Sequence, residues 1–490
     1  MIQIQQSSGS ARQQNQVGSR SRHSRQSSPQ PFRRSTWATE ERAQPIAPET
    51  VFQAGLRHHH VANTAYPIAH RQTIWQYRQS ADRYAELLAR AFRANTEMGL
   101  YVHIPFCERR CAFCEYTVVD NHGGDVEARY HRALLQELDM YGRLLDTNQT
   151  TLVGLDIGGG TPSIVQPQRI GELLERIVRA FSPAPDFGVS IETTPKIAAA
   201  HPERLAAYTQ FGINRISMGL QMVNPRLLKK YGRDTNTTGH NEQAVENIRK
   251  AGFRRFNIDV MYGFAKQTAE DFQQTLDYTI ALNPEYITLY RMRYKGTSVA
   301  AEASEIELQR IVGMYALARK TLTEAGYAAN AGKNGFSRVP GDPGTSEYLT
   351  QRVVRSTPYL GLGLGAQSFT NTLLAYNLGA ASKRMPGYLR TLDEGQLPIQ
   401  DLYHLPLGDA IGKMVSVSFY FGQIHLDAFR QRFGMELEAR FPKEVAFVLR
   451  RGLMEYHGDT LRLTSGGAMQ INGLIALFYS NRVKEYLVNL

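Results

Sequence analysis

Between Gly99 and Tyr290 the sequence alternates short apolar runs typical of β-strands with longer segments of helical periodicity. This alternation is the strongest constraint on the fold, because strands joined by helices form a parallel sheet with right-handed crossovers. The predicted strands are Gly99–Ile104, Leu152–Ile157, Phe187–Glu192, Arg215–Gly219, Phe256–Tyr262 and Tyr286–Tyr290. The predicted helices are Tyr130–Leu145, Pro167–Phe181, Pro202–Phe211, Asn241–Ala251 and Ala269–Leu282. Six such repeats predict an α/β fold built on a partial (β/α)6 barrel.

All three cysteines of the chain follow the first predicted strand, as Cys107, Cys111 and Cys114. Soft thiolate ligands favour zinc or an iron–sulfur cluster. A structural zinc site normally has four protein ligands, whereas a cubane held by three cysteines leaves one iron free. Chance clustering, or a zinc site completed by His103 or His122, remains open at this point. We favour the open cluster.

Further polar and glycine residues stand at or just after the other predicted strand ends. Glycines 158–160 allow close approach of a ligand and offer N–H groups, and Thr161 adds a hydroxyl. Glu192 and Asp259 can accept hydrogen bonds from ribose hydroxyls, while Gln221 supplies an amide and Arg233 a fork for a carboxylate. Each of these residues has a structural explanation when taken alone. Beside an open iron, the set fits S-adenosylmethionine (SAM), whose amine and carboxylate can chelate that iron.

Several motifs in this order resemble the radical SAM superfamily, and within it the branch of oxygen-independent coproporphyrinogen III oxidases, called HemN-like. They are Tyr101-Val-His-Ile-Pro-Phe106 with the cysteine loop, Gly158-Gly-Gly-Thr-Pro-Ser163, Asn214–Gln221, Tyr231-Gly-Arg233 and Asn257–Gly263. The resemblance implies a 4Fe-4S cluster on Cys107, Cys111 and Cys114. It also implies an electron donor such as flavodoxin or ferredoxin, whose electron cleaves SAM to a radical that abstracts hydrogen from a small-molecule substrate.

The resemblance also assigns residues to one or two SAM molecules. Tyr101, Gly159 and Glu192 match positions that contact the cluster-bound cofactor. The positions that match a second SAM site are Phe113, Gly160, Thr161, Gln221, Arg233 and Asp259. We therefore expect a coproporphyrinogen oxidase-like oxidoreductase acting on a tetrapyrrole-like or specialised-metabolite substrate. The alternatives are a methyltransferase or cyclopropane-forming enzyme that uses the second SAM, and a haem-binding chaperone.

Two departures from the family pattern limit the identification of the substrate. The oxidases have a further cysteine shortly after the triplet, where this chain has Glu115 and Tyr116. The haem chaperones have a histidine-containing motif after the barrel, where this chain reads Thr345-Ser-Glu-Tyr-Leu349. Neither porphyrinogen decarboxylation nor haem transfer therefore follows from the motifs alone.

Five regions are predicted along the chain. They are a disordered tail rich in Arg, Ser and Gln (1–49), a helical lead-in (50–98) with a helix over Thr73–Asn95, the radical SAM partial barrel (99–300), an extension with loops that covers the barrel (301–400), and a mainly helical, winged-helix-like C-terminal domain (401–490). Within the last two, helices are expected over Glu302–Ala325 and Gly467–Tyr479. The glycine-rich run Tyr359–Gly365 is interpreted as close backbone packing rather than a phosphate loop.

Charge and hydropathy exclude some classes of function. The formal net charge is +11, but residues 1–39 contain six arginines and no acid, which leaves about +5 on the rest of the chain. A nucleic-acid partner is therefore not favoured, and no apolar run is long enough for a membrane span. An Arg- and Ser-rich start also resembles an organelle transit peptide, although we favour a disordered extension. Clustered cysteines without partners elsewhere predict a reducing compartment, the cytoplasm.

Overall fold

The computed structural model describes residues 37–39, 45–120, 123–145 and 150–490. The predicted disordered tail therefore lies almost entirely outside the described residues, as does His122. The described end of that tail is packed against the body of the protein. Ala38 pairs with Pro406, and the indole N–H of Trp37 donates to the carbonyl oxygen of Asn371 at 3.2 Å.

The lead-in contains three α-helices, α1 (Pro48–Arg57), α2 (His70–Thr73) and α3 (Tyr84–Arg93), and two short 3-10 turns between α2 and α3. The single helix predicted over Thr73–Asn95 is wrong, because the chain is extended at Arg78 and Gln79. Gln79 N–H donates to the carbonyl oxygen of Leu402 at 2.8 Å, and Arg78 forms an antiparallel bridge with Tyr403. Pairing with the edge of a sheet thus overrides the helical periodicity of this segment.

All six predicted barrel strands are present. The barrel elements are, in chain order, β1 (Glu97–Ile104), α4 (Gly124–Leu145), β2 (Thr151–Gly159), α5 (Pro167–Ala180), β3 (Ser182–Thr193), α6 (Pro195–Ala200), α7 (Pro202–Gln210), β4 (Arg215–Gln221), α8 (Pro225–Lys230), α9 (Thr238–Lys250), β5 (Arg255–Tyr262), α10 (Ala269–Ala281) and β6 (Tyr286–Arg291). The six strands are parallel and pair in sequence order. Their apolar side chains pack against the surrounding helices in one large core.

The next region extends this sheet at both ends. Its elements are α11 (Leu308–Glu324), β7 (Gly335–Ser337), α12 (Glu347–Thr350), β8 (Tyr359–Leu362), β9 (Gln367–Phe369), β10 (Leu373–Asn377), α13 (Pro386–Asp393) and β11 (Ile399–His404). The predicted helix over Glu302–Ala325 begins later, because Ala300–Glu305 form 3-10 turns. We predicted no strands here, yet β8 pairs parallel to β1, and β7 pairs antiparallel to β6.

The resulting eleven-stranded sheet has the order β11-β10-β9-β8-β1-β2-β3-β4-β5-β6-β7 and does not close. This confirms the predicted partial barrel. The interpretation of the run from Tyr359 to Gly365 as close packing is also confirmed. A Cβ on Gly361 would lie 2.3 Å from the carbonyl oxygen of Gln367, and one on Gly363 would lie 2.5 Å from that of His103.

The C-terminal unit is mainly helical. It comprises α14 (Leu407–Ser418), β12 (Gln423–His425), α15 (Leu426–Phe433), α16 (Leu437–Arg440), α17 (Pro442–Arg450), β13 (Met454–His457), β14 (Thr460–Leu463), α18 (Ser465–Ala468), α19 (Ile471–Leu477) and α20 (Asn481–Val488). The predicted helix over Gly467–Tyr479 is interrupted between α18 and α19. Helix α1 packs directly on α19, where a Cβ on Gly55 would lie 2.6 Å from the carbonyl oxygen of Asn472. The lead-in and the C-terminal unit therefore share one core.

Among the residues that the structure describes, none of the helices combines the length and the apolar character needed to cross a membrane.

Candidate active site

A cavity of about 810 Å³ lies where the carboxyl ends of β1 to β6 meet the lead-in and the C-terminal unit. Its lining contains every residue predicted for the site: Tyr101, Cys107, Cys111, Phe113, Cys114, Gly159, Gly160, Thr161, Glu192, Gln221, Arg233 and Asp259. The parallel strands explain this convergence, because residues at their carboxyl ends reach the same edge of the sheet.

The cysteine loop follows β1 and is closed at its base by backbone hydrogen bonds. Cys107 N–H donates to the carbonyl oxygen of Val119 at 3.0 Å, and Val119 N–H donates to that of Pro105 at 2.7 Å. Inside the loop, Cys114 N–H donates to the carbonyl oxygen of Cys111 at 3.1 Å. All three thiols are free and partly buried. The backbone thus presents the three sulfurs from one short, fixed loop.

The surroundings of the thiols fit an iron–sulfur cluster. Burial raises the pKa of Cys107 to about 12 and also raises that of Cys114, and a coordinated metal reverses this by deprotonating its thiol ligands. Donors already face two sulfurs: Thr161 Oγ1 lies 3.7 Å from Cys107 Sγ, and Arg233 Nη1 lies 3.8 Å from Cys111 Sγ. Among the described residues, no three His, Cys, Asp or Glu side chains converge on a single ion. A cubane does not require such convergence, because its thiolates bind separate irons.

His103 is committed to a structural role. Its Nε2–H donates to the carbonyl oxygen of Thr117 at 2.7 Å, and its Nδ1 accepts from the Tyr101 hydroxyl at 3.2 Å. Burial lowers the pKa of His103 to about 4, so that the ring is neutral near pH 7. Both ring nitrogens are therefore occupied, and the zinc alternative that used His103 is not supported. The Tyr101–His103–Thr117 chain ties β1 to the end of the cysteine loop.

The glycine motif differs in detail from its prediction. We expected its N–H groups to face a ligand, but Gly160 N–H donates to the carbonyl oxygen of Ile104 and Thr161 N–H to that of Phe106. A Cβ on Gly160 would lie 2.5 Å from the same Phe106 oxygen, and Gly159 has a φ of +128°. Glycine is therefore required because the end of β2 packs directly on the start of the cysteine loop.

Two acids stand on the sheet side of the cavity. Glu192 is exposed to the cavity and accepts the N–H of Gly159 at 3.3 Å. Enclosure by protein, followed by repulsion from Asp259 and Asp156, raises the pKa of Glu192 to about 8. Asp259 accepts from the Ser217 hydroxyl at 2.9 Å and from the side-chain amide of Asn257 at 2.7 Å. Burial raises the pKa of Asp259 to about 6, and these two hydrogen bonds oppose the shift.

Gln221, Arg233 and Phe113 complete the predicted set. Gln221 ends β4 with a φ of +70°, a region that costs a residue other than glycine about 1–3 kcal/mol and is frequent at ligand sites. The Arg233 guanidinium donates to the carbonyl oxygen of Gly219. The Phe113 ring lies 5.6 Å from that of Phe264, centroid to centroid. These contacts hold the side chains of the rim in place without a ligand.

The sequence reasoning missed the rest of the cavity wall. Arg293 forms an ion pair with Glu115, which directly follows the last of the three cysteines. Arg291 binds His59, which also lines the cavity. The remaining residues of this wall include Tyr116, Tyr290, Arg352 and Tyr420. In the sequence, the i, i+2 spacing of Arg291 and Arg293 at the end of a strand is the one pattern that indicates that these side chains lie on the cavity wall.

Comparison with known proteins places this geometry in a family. Residues 101–279 match the family described as the Radical SAM superfamily. The chain carries a radical SAM domain. The matched segment runs from the first residue of the Tyr101 motif to α10, and it contains the cysteine loop and every other predicted site residue.

Two kinds of protein are similar to this chain over most of their own length. A Mycobacterium tuberculosis protein named heme chaperone HemW is 27% identical over 77% of this chain and 93% of its own length. A Synechocystis oxygen-independent coproporphyrinogen III oxidase is 27% identical over 78% of this chain and 85% of its own length. The chain is thus similar to HemN-like proteins of both kinds.

The fold agrees with this similarity. The solved structure of Escherichia coli HemN, a coproporphyrinogen III oxidase, superposes with a TM-score of 0.70 and covers 85% of this chain and 96% of its own at 24% identity. The fold confirms the predicted α/β partial radical SAM barrel, and the similarity to the two relatives confirms the resemblance to the HemN-like branch. The family implies a 4Fe-4S cluster and SAM. The role of each lining residue stays a prediction.

Proposed function

We propose that this protein is a radical SAM oxidoreductase, which cleaves SAM reductively and abstracts hydrogen from a tetrapyrrole-like or specialised-metabolite substrate, in the manner of a coproporphyrinogen oxidase. The observation that carries the proposal is the convergence of the three cysteines and nine predicted cofactor residues on one cavity. When bound, a 4Fe-4S cluster on the three thiolates supplies an electron to SAM and a vacant iron for its amine and carboxylate.

The protein's own residues then orient the cofactor. Tyr101, Gly159 and Glu192 contact the molecule at the cluster, with the Glu192 carboxylate held by the Gly159 N–H. The raised pKa of Glu192 suits an acceptor that gains a hydrogen-bond donor or a positive charge on ligand binding. Gln221, held in its left-handed conformation, presents its amide to the cavity.

The test is anaerobic reconstitution with iron and sulfide, reduction with dithionite and detection of 5′-deoxyadenosine and methionine. We expect both products in a sample with a full cluster. A cluster-loaded sample that leaves SAM intact contradicts the proposal.

A variant of this function uses two SAM molecules for methyl or methylene transfer. The cavity volume of about 810 Å³ lies towards the upper end of ordinary ligand sites, and Phe113, Arg233 and Asp259 share it with the cluster loop. Incubation with methyl-labelled SAM separates the two reactions. Label in the substrate product supports transfer, whereas an unlabelled, oxidised product supports the oxidoreductase.

A second candidate function, haem binding without cleavage of SAM, is favoured by the similarity to proteins named heme chaperone HemW. Titration with haem discriminates between the two. Stoichiometric binding together with no formation of 5′-deoxyadenosine supports the chaperone, and the reverse supports the enzyme.

We further infer a cytoplasmic location, a flavodoxin or ferredoxin as electron donor, and no nucleic-acid partner. Reduction of the cluster by purified flavodoxin and by purified ferredoxin tests the identity of the electron donor.

A further inference from the structure

The cavity wall nearest the C-terminal unit carries more positive charge than its neighbours neutralise. Arg293, just after β6, and Arg352, in the π-helical turn Gln351–Arg355, line the cavity. Lys413, on α14, lies behind them, and both guanidinium groups are close enough to lower its pKa. Of the carboxylates in the described part of the chain, only Glu115 forms an ion pair with one of these three side chains, and its partner is Arg293. We call Arg293, Arg352 and Lys413 the cationic wall.

Arg352 is held rigidly but is poorly hydrogen-bonded. Its guanidinium carbon lies 4.4 Å from the centroid of the Tyr359 ring and 5.9 Å from that of Tyr348. Its best polar contact is a long one, from Nη1 to the Tyr348 hydroxyl at 3.4 Å. Its Nε is buried without a partner among the described residues. A buried donor of this kind costs free energy until a ligand accepts from it.

Asp156 lies near Arg352 but forms neither an ion pair nor a hydrogen bond with it. Arg352 lies close enough to contribute to lowering the pKa of Asp156, but one carboxylate oxygen of Asp156 accepts from the Ser346 hydroxyl at 2.8 Å and the other has no partner among the described residues. Among the other acids that line the cavity, Glu192 and Asp259 are engaged on β3 and β5 by the contacts described above, and Glu108 forms an ion pair with Lys196.

Lys413 is buried, and among the described residues no carboxylate forms an ion pair with it. Its side chain is 4% exposed, and its ammonium group donates to the carbonyl oxygen of Tyr66 at 2.8 Å. An ammonium has three N–H donors, so this single contact leaves it under-satisfied. Burial next to Arg352 and Arg293 lowers the pKa of Lys413 to about 7. Such an arrangement is costly in the free protein and is relieved by a negative charge placed nearby.

We propose that the cationic wall is a subsite for an oxyanion of the substrate, a carboxylate or a phosphate, with Arg352 as its direct ligand and Lys413 as the charge behind it. A guanidinium fork matches the geometry of either group, and the stack on Tyr359 fixes the plane of the fork in advance. The inference rests on the proposed function to the extent that the oxyanion belongs to the substrate of this same cavity. It assigns that substrate a negative group positioned at the C-terminal unit.

The probes for this subsite are inorganic phosphate and malonate. They are titrated by calorimetry into the cluster-reconstituted full chain, at constant ionic strength and with SAM present to keep the anions off the vacant iron. We expect Arg352→Gln to weaken binding of the preferred anion about tenfold or more, since one charge-assisted fork is lost. Binding of malonate alone identifies a carboxylate, and binding of phosphate alone identifies a phosphate.

The matched control is Arg254→Gln, because Arg254 is an exposed arginine that is not part of the cavity lining. It should bind the anion as the wild type does. Lys413→Met should weaken binding less than Arg352→Gln, because it removes charge but no direct contact. If Arg352→Gln fails to fold, as judged by circular dichroism, Arg352→Lys replaces it and should bind several-fold more weakly than wild type.

Equal anion affinity in wild type and the Arg352 variant overturns the inference, and so does the absence of binding in the wild type. Dithionite-driven cleavage of SAM is measured on the same samples. A wild-type sample that binds the anion but does not cleave SAM contradicts the proposed function alone. Cleavage without anion binding contradicts the subsite alone.

Discussion

The two walls of the cavity are built differently. On the sheet wall, the cysteine loop, the glycine turn and the acids follow successive strands, and neighbouring backbone or hydroxyl groups satisfy them. The cationic wall is assembled from three separate segments that span residues 293–413, and Arg352 Nε there is buried without a partner among the described residues. The difference indicates that the sheet wall is largely set before a cofactor binds, whereas the proposed oxyanion subsite leaves the facing wall to be completed by its ligand.

The largest effect should come from breaking the sheet wall at the cluster. Cys111→Ser removes one of the three thiolates, so we expect little or no cluster absorbance after reconstitution and a loss of SAM cleavage of about a thousandfold or more. Iron and sulfide analysis and 5′-deoxyadenosine yield measure the two effects. A variant with a full cluster and normal cleavage would remove the cysteines from the proposed mechanism.

The next effect tests how tightly the sheet wall is packed. Gly160→Ala places a Cβ 2.5 Å from the carbonyl oxygen of Phe106, so the cysteine loop must shift, at a cost of about 1–3 kcal/mol in the free energy of unfolding. Gly313→Ala is the control, because Gly313 stands inside α11 with nothing within 4 Å of the added carbon. It should stabilise the protein by about 0.5–1 kcal/mol. Urea denaturation of both variants checks whether the effects have opposite signs.

A third prediction concerns pH and the cationic wall. The pKa of Lys413 falls from 10.5 to about 7 on folding, so between these values the unfolded chain binds the proton and the folded protein does not. Stability should therefore rise with pH in that window, by up to about 2 kcal/mol between pH 7 and pH 9. The penalty for burying the charge is fully present below pH 7.

Urea denaturation of the wild type and Lys413→Met at both pH values isolates this contribution. The variant lacks the titrating group, so the difference in stability between the two proteins should change in favour of the wild type at pH 9. A difference that does not change with pH would mean that Lys413 titrates normally.

The smallest effect should come from the ion pair between Arg293 and Glu115, whose side chains are about a third and a quarter exposed. A double-mutant cycle with Arg293→Gln and Glu115→Gln should give a coupling free energy of about 1 kcal/mol at low salt, and less at high salt. Zero coupling would show that Glu115 does not neutralise Arg293. The cationic wall would then carry one more uncompensated positive charge.

The alternation of strands and helices was sufficient to predict the barrel, since the six strands lie where apolar β-type runs occur and differ mainly in length. Local periodicity failed where pairing partners came from elsewhere. The segment around Arg78 and Gln79 reads as a helix but is drawn into an extended conformation by β11. Strands β8 to β11 are short, and their identity depends on the open edge of β1.

The sequence by itself determined the sheet wall of this protein, because motif residues that follow parallel strands must meet at one edge whatever the rest of the chain does. It determined the three-thiolate loop and the need for glycine beside it. Only the tertiary structure decided the facing wall. No local sequence pattern marks Arg352, Lys413 or His59. Arg352 and His59 line the cavity, with Lys413 behind Arg352, because α1 packs on α19 and α14 packs against the turn after α12. Long-range packing of this kind depends on shape complementarity between distant surfaces, which spacing along the chain does not encode.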